Sequence, residues 1–132
     1  MLSVVAAYGL QQFQVRIPAT GNVKAVGIGV YTDQACTVAL SSIDWGLMSP
    51  GESKSVTFYL KSLSNVNASV SLSNGNWAPT IAGTYISLSW NREGYRMVPS
   101  EVVSAVLTLQ VSSSIQGVSS FSFDAIVAAS EA

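Results

Sequence analysis

The chain has 132 residues, 48% of them hydrophobic and only 10% charged, with a net charge of −1. That is enough apolar material for one domain with a core, and it excludes a disordered chain. It is too little positive charge to hold a phosphate backbone or an anionic membrane surface, so nucleic acid is not an expected partner.

Histidine is absent, which removes the commonest general base and metal ligand together. Cys36 is the single cysteine, so no intrachain disulfide can form, and it reads as a small buried thiol in a short strand. No run reaches the ~18 apolar residues of a membrane span. The polar surface has to be built from Ser, Thr, Asn and Gln. The 22 serines match a composition common among exported fibrous and cell-wall proteins, so an extracellular or cell-surface location is expected.

Residues 1–9 form an apolar segment ahead of a domain over 10–132. Leu2, Val4, Ala6 and Tyr8 can line one face of an extended strand, with Ser3, Val5 and Ala7 on the other and Gly9 as a hinge. Three readings follow: a donor strand that completes the sheet of a neighbouring copy, an edge strand on its own domain, or the remnant of a signal peptide with Val5-Ala6-Ala7 as the small-residue site. Eight residues bury roughly what their ordering costs. Such a donor therefore needs a preformed groove, or a longer strand reaching through Phe13, Val15 and Ile17.

Residues 10–17 alternate, with Phe13, Val15 and Ile17 opposite Gln12, Gln14 and Arg16. Residues 23–31 are expected to be a second strand, with Val26, Ile28 and Val30 inward. Gly27 and Gly29 on its other face permit close approach of another backbone, or mark a bulge or a twisted edge. Cys36 to Leu40 is a short strand or an irregular crossover, and Ile43 to Gly46 a short strand carrying Trp45. Pro50-Gly51 is a turn, because proline presets one φ and glycine tolerates the next. It opens a long strand over 53–61 in which Val56, Phe58 and Leu60 alternate with polar residues. Ala68, Val70 and Leu72 alternate with serines. Asn74 to Gly83 is expected to be a long loop carrying Trp77. Strands over 85–90, 101–111 and 119–128 follow.

A second copy of the turn-and-strand unit lies 49 residues on. Met48, Pro50, Glu52, Ser55 and Leu60 match Met97, Pro99, Glu101, Ser104 and Leu109. Eight or nine short strands, two similar halves and no helical period predict an all-β fold, a single antiparallel sandwich. Its expected core is Phe13, Val15, Ile28, Val56, Phe58, Leu60, Leu72, Leu88, Leu107, Leu109, Phe121 and Phe123.

The segment from Ile43-Asp44-Trp45-Gly46 through Pro50-Gly51-Glu52 to Lys61 resembles a pattern in exported immunoglobulin-like domains of archaea and bacteria. There an aromatic-ended strand is followed by Pro-Gly-[Asp/Glu] and a long alternating strand. It is also similar to the TasA/camelysin group of biofilm fibre proteins and to related archaeal surface pili and threads. The resemblance implies an immunoglobulin-like sandwich working as a non-catalytic filament or pilus subunit, with copies of itself as partners and donor-strand complementation as the link. The metalloprotease activity sometimes attached to camelysins finds no zinc-binding histidine here.

No catalytic constellation emerges. Glu52 and Glu101 hold equivalent turn positions, which fits a structural role in accepting main-chain N–H bonds. Asp33, Asp44 and Asp124 form no calcium-loop motif, and no serine has a histidine partner or a nucleophile elbow. No enzyme activity, metal or cofactor is expected. Trp77 could stack on a sugar, which makes a carbohydrate-binding or adhesion module the alternative reading. Asn67-Ala68-Ser69 is an N-glycosylation sequon. Trp45 and Trp90, at strand ends, read as core.

Overall fold

The computed structural model describes residues 14–132. They form seven strands and one helical turn: β1 (Ile28–Tyr31), β2 (Ser53–Ser62), β3 (Ala68–Ala78), α1 (Ala82–Tyr85), β4 (Ile86–Trp90), β5 (Arg96–Met97), β6 (Val102–Val111) and β7 (Ser122–Glu131). The fold is all-β, with two antiparallel sheets ordered β1-β2-β6-β4 and β5-β3-β7. The residues expected to donate a strand, Leu2, Val4, Ala6 and Tyr8, lie outside the described residues, as does Phe13.

The long alternating strands pair as their patterns demand. β2 and β6 run antiparallel with Val56 opposite Leu107, Phe58 opposite Ala105 and Leu60 opposite Val103. Phe58, Leu60, Leu107 and Leu109 are at most 3% exposed. Val70 from β3 and Met97 from β5 close over them from the second sheet. A second cluster of Ala82, Ile86, Leu109 and Val111 fills the end near α1. Ile28, Val56, Leu72, Leu88, Phe121 and Phe123 are half-buried and pack against one or other cluster.

The two turns are built alike, as the repeat implies. Glu52 Oε1 accepts the Ser49 N–H at 2.7 Å and the Glu52 N–H returns to the Ser49 carbonyl. Glu101 Oε1 accepts the Val98 N–H at 3.0 Å and the Glu101 N–H returns to the Val98 carbonyl. Each turn thus satisfies two main-chain donors before its strand begins.

Several expectations need correction. Residues 14–17 are unpaired, and Val15 is 71% exposed rather than core; alternation makes a strand only where an edge is there to pair with. The second strand shrinks to β1, and Val26 is exposed. Loop side chains take over its ladder: Asn65 Oδ1 accepts the Ala25 N–H, Asn65 Nδ2 donates to the Val23 carbonyl, and Ser64 Oγ accepts the Gly27 N–H. Gly29 admits no foreign backbone. The Tyr31 ring lies over it, and any Cβ there would meet that ring.

Ile43 to Gly46 is not a strand. The expected loop after Ser73 is instead the far half of β3, which runs to Ala78. A bulge between Gly75 and Ala78, with Asn76 at φ 57°, absorbs the Asn and Gly turn residues. β5, too short to show a period, was not foreseen. Ala125, on β7, is exposed and lines the groove described next.

Candidate functional site

β7 pairs with β3 along one side, from Ala68 opposite Glu131 to Ala78 opposite Ser122. Its other side carries no strand among the described residues. A strand edge left in this state presents main-chain N–H and C=O groups to any chain that can pair with it.

Beside that edge lies a groove of about 900 Å³. Val30, Phe58 and Leu107 from the first sheet form its floor. One wall is β7 and its approach, with Phe121, Phe123, Ala125 and Val127. The other is the segment from Ile43 to Met48. Serines 41, 42, 119, 120 and 122 mark the rim.

The second wall has no strand ladder of its own, and the Lys54 side chain ties it to β2. Lys54 Nζ, on β2, donates to the Trp45 carbonyl at 3.0 Å and to the Leu47 carbonyl at 2.8 Å. Gly46 between them sits at φ 67°, a conformation that favours glycine, and its N–H donates to Asp44 Oδ1 at 2.9 Å. The charge-assisted bonds of Lys54 replace the strand pairing that the Ile43–Gly46 sequence suggested. Trp45 packs against both core clusters, and Leu47 is 91% exposed at the lip.

Trp77 is not on a loop. It is half-buried on β3, its ring stacked on Phe123 at a centroid distance of 4.3 Å and set against Gly83. Its Nε1 donates to Asn74 Oδ1 at 2.9 Å. The indole is therefore engaged within the molecule, and it supports the end of β7 that borders the groove. Trp90 stacks on Phe58 and donates through Nε1 to Glu93. Asn67 is half-buried at the start of β3, and its carbonyl accepts the Ala132 N–H. The sequon and Trp77 are not brought together with the groove's serine rim into one site.

The carboxylates hold main chain and side chains in place. Glu101 accepts from the Tyr95 hydroxyl at 2.6 Å and from the Val98 N–H, and these bonds lower its pKa. The same contact raises that of Tyr95. Glu93 accepts from the Leu72 N–H and from Trp90 Nε1, which lowers its pKa. Asp33 accepts from the Thr37 hydroxyl and from the Val38 N–H, with the same result. Asp124 accepts from Asn76 at 2.6 Å. Among the described residues no three Cys, Asp or Glu side chains gather as a metal cage.

Sequence reasoning missed the groove because its walls come from segments that carry no period. The nearest signal was the apolar character of Ile43 to Met48 in a stretch too short to be a central strand. Comparison with protein-family models, curated proteins and solved structures found no match to this chain.

Proposed function

We propose that the chain is an immunoglobulin-like β-sandwich working as a non-catalytic structural subunit of an extracellular filament or pilus. In this reading, a strand from the N-terminal part of one copy completes the sheet of the next. The observation that carries it is the edge of β7 that no strand among the described residues pairs with, beside an open apolar groove. A sheet edge and a neighbouring strip of uncovered core are the two things that an added strand needs: the edge gives main-chain bonds and the strip takes alternate side chains. The serine-rich, weakly charged surface supports an extracellular setting, where a fibre subunit works.

Electron microscopy and light scattering of the purified protein over a wide concentration range test this. Filaments or linear oligomers are the expected result. A monomer at every concentration overturns the proposal, and so does specific binding on a glycan array by a protein that never assembles.

A further inference from the structure

We infer that the donated strand is centred on Leu10 to Ile17 rather than on Leu2 to Tyr8, and that it seats along β7 in the groove of a second copy. The inference rests on the subunit reading above and names the two surfaces that it left open. Val15 and Ile17 are the observation that carries it: they are 71% and 81% exposed, on a segment whose sequence alternates like a half-buried strand. None of residues 14–22 is even half-buried, so Val15 and Ile17 do not use the groove of their own molecule.

The groove asks for a strand with one dry face and one wet face. It has the first sheet beneath it and solvent above. Phe13, Val15 and Ile17 opposite Gln12, Gln14 and Arg16 meet that demand, and such a pattern fixes register, since a slip of one residue would turn the polar face inward. Residues 2–8 are apolar on both faces apart from Ser3, and fix no register. Length agrees as well. Eight extended residues span about 26 Å, within the roughly 33 Å of the ten-residue edge of β7. Pro18 has no N–H to give to a ladder and ends the strand where the alternation ends.

Four full-length proteins decide the matter: the intact chain, Val15→Asn with Ile17→Asn, Leu2→Asn with Val4→Asn, and Ala125→Lys, which puts a charge inside the groove at a site exposed in the single molecule. The intact chain and the Leu2/Val4 variant should assemble alike. The Val15/Ile17 variant should need a concentration higher by on the order of a hundredfold or more, with unchanged circular dichroism and melting. Ala125→Lys should also fail to assemble. Mixed together, the Val15/Ile17 and Ala125 variants should give discrete dimers, since one keeps the groove and the other keeps the strand.

Loss of assembly in the Leu2/Val4 variant alone overturns the choice of segment and leaves strand donation standing. Normal assembly of Ala125→Lys overturns the groove. If the intact chain stays monomeric throughout, both the inference and the reading beneath it fall.

Discussion

Thr57 and Val106 face each other at the centre of the β2–β6 ladder, and they are also 49 residues apart, the offset of the sequence repeat. The central pairing of the β2–β6 ladder is thus self-equivalent. In the other sheet Gly75 on β3 faces Asp124 on β7 at the same offset, next to the bulge near one end of that ladder. Exchanging each residue for the one 49 positions away maps every pairing of the β2–β6 ladder onto another pairing in it, Lys54–Leu109 onto Leu60–Val103 for example, whereas the β3–β7 pairing of Ala68 with Glu131 has no image in its ladder. Leu60 and Leu109 exchange under this operation, as do Glu52 and Glu101. It breaks at β5. Arg96–Met97 pairs with the start of β3, whereas the matching Leu47–Met48 makes no pairing with the approach to β7. The groove lies where the second half has no counterpart.

Core substitutions should follow this symmetry. Phe58→Ala removes a ring that is 3% exposed and stacked on Trp90, and should cost about 3–5 kcal/mol. Leu60→Ala and Leu109→Ala, at equivalent fully buried positions, should each cost about 2–5 kcal/mol. Urea denaturation measures all three. A loss under 1 kcal/mol at either leucine would contradict its place in the core.

Val15→Ala should leave the stability of the single molecule within about 0.5 kcal/mol of the original, because the side chain is exposed. Thermal melting at low concentration checks this. A loss of core size would put Val15 back inside.

Acid should weaken the fold through Glu101 and Glu93. Both have folded-state pKa values below the ordinary one, so the folded chain binds fewer protons than the unfolded chain. Their contribution is complete above about pH 4.3 and is lost as the pH falls from there through the lowered values. Denaturation midpoints measured at pH 6 and pH 3 should differ more for the original protein than for Glu101→Gln. Equal differences would show that Glu101 makes no such contribution.

Gly83→Ala tests the Trp77 stack. Alanine favours a helix over glycine by about 1 kcal/mol, but its Cβ would lie 2.9 Å from the indole of Trp77. The ring is held by Phe123 and Asn74 and has little room to yield. A net loss of about 1–2 kcal/mol, with altered tryptophan fluorescence, is the expected outcome; a gain in stability would mean that the ring moves freely.

Long alternating strands were legible in the sequence because period and composition agreed over nine or ten residues, as in β2 and β6. The turns were legible because Pro50, Gly51 and Glu52 recur as Pro99, Ser100 and Glu101. The boundary errors have a common cause. At Val23 to Gly27 and at Ile43 to Gly46, side-chain bonds from Asn65, Ser64 and Lys54 decide what the backbone does, from up to 42 residues away, and at Asn74 to Ala78 pairing with the distant β7 does. The groove was illegible for a further reason: it is defined by the side of β7 that no strand among the described residues covers.

That one-sided edge fixes the character of any polymer built on it. The surface that receives a strand differs from the segment that gives one, so the contact is heterologous rather than isologous. In the proposed assembly each added subunit would present a receiving edge at one end and a donor segment at the other. The product has distinguishable ends and a direction, and the rotation from one subunit to the next decides between a closed ring and an open helix.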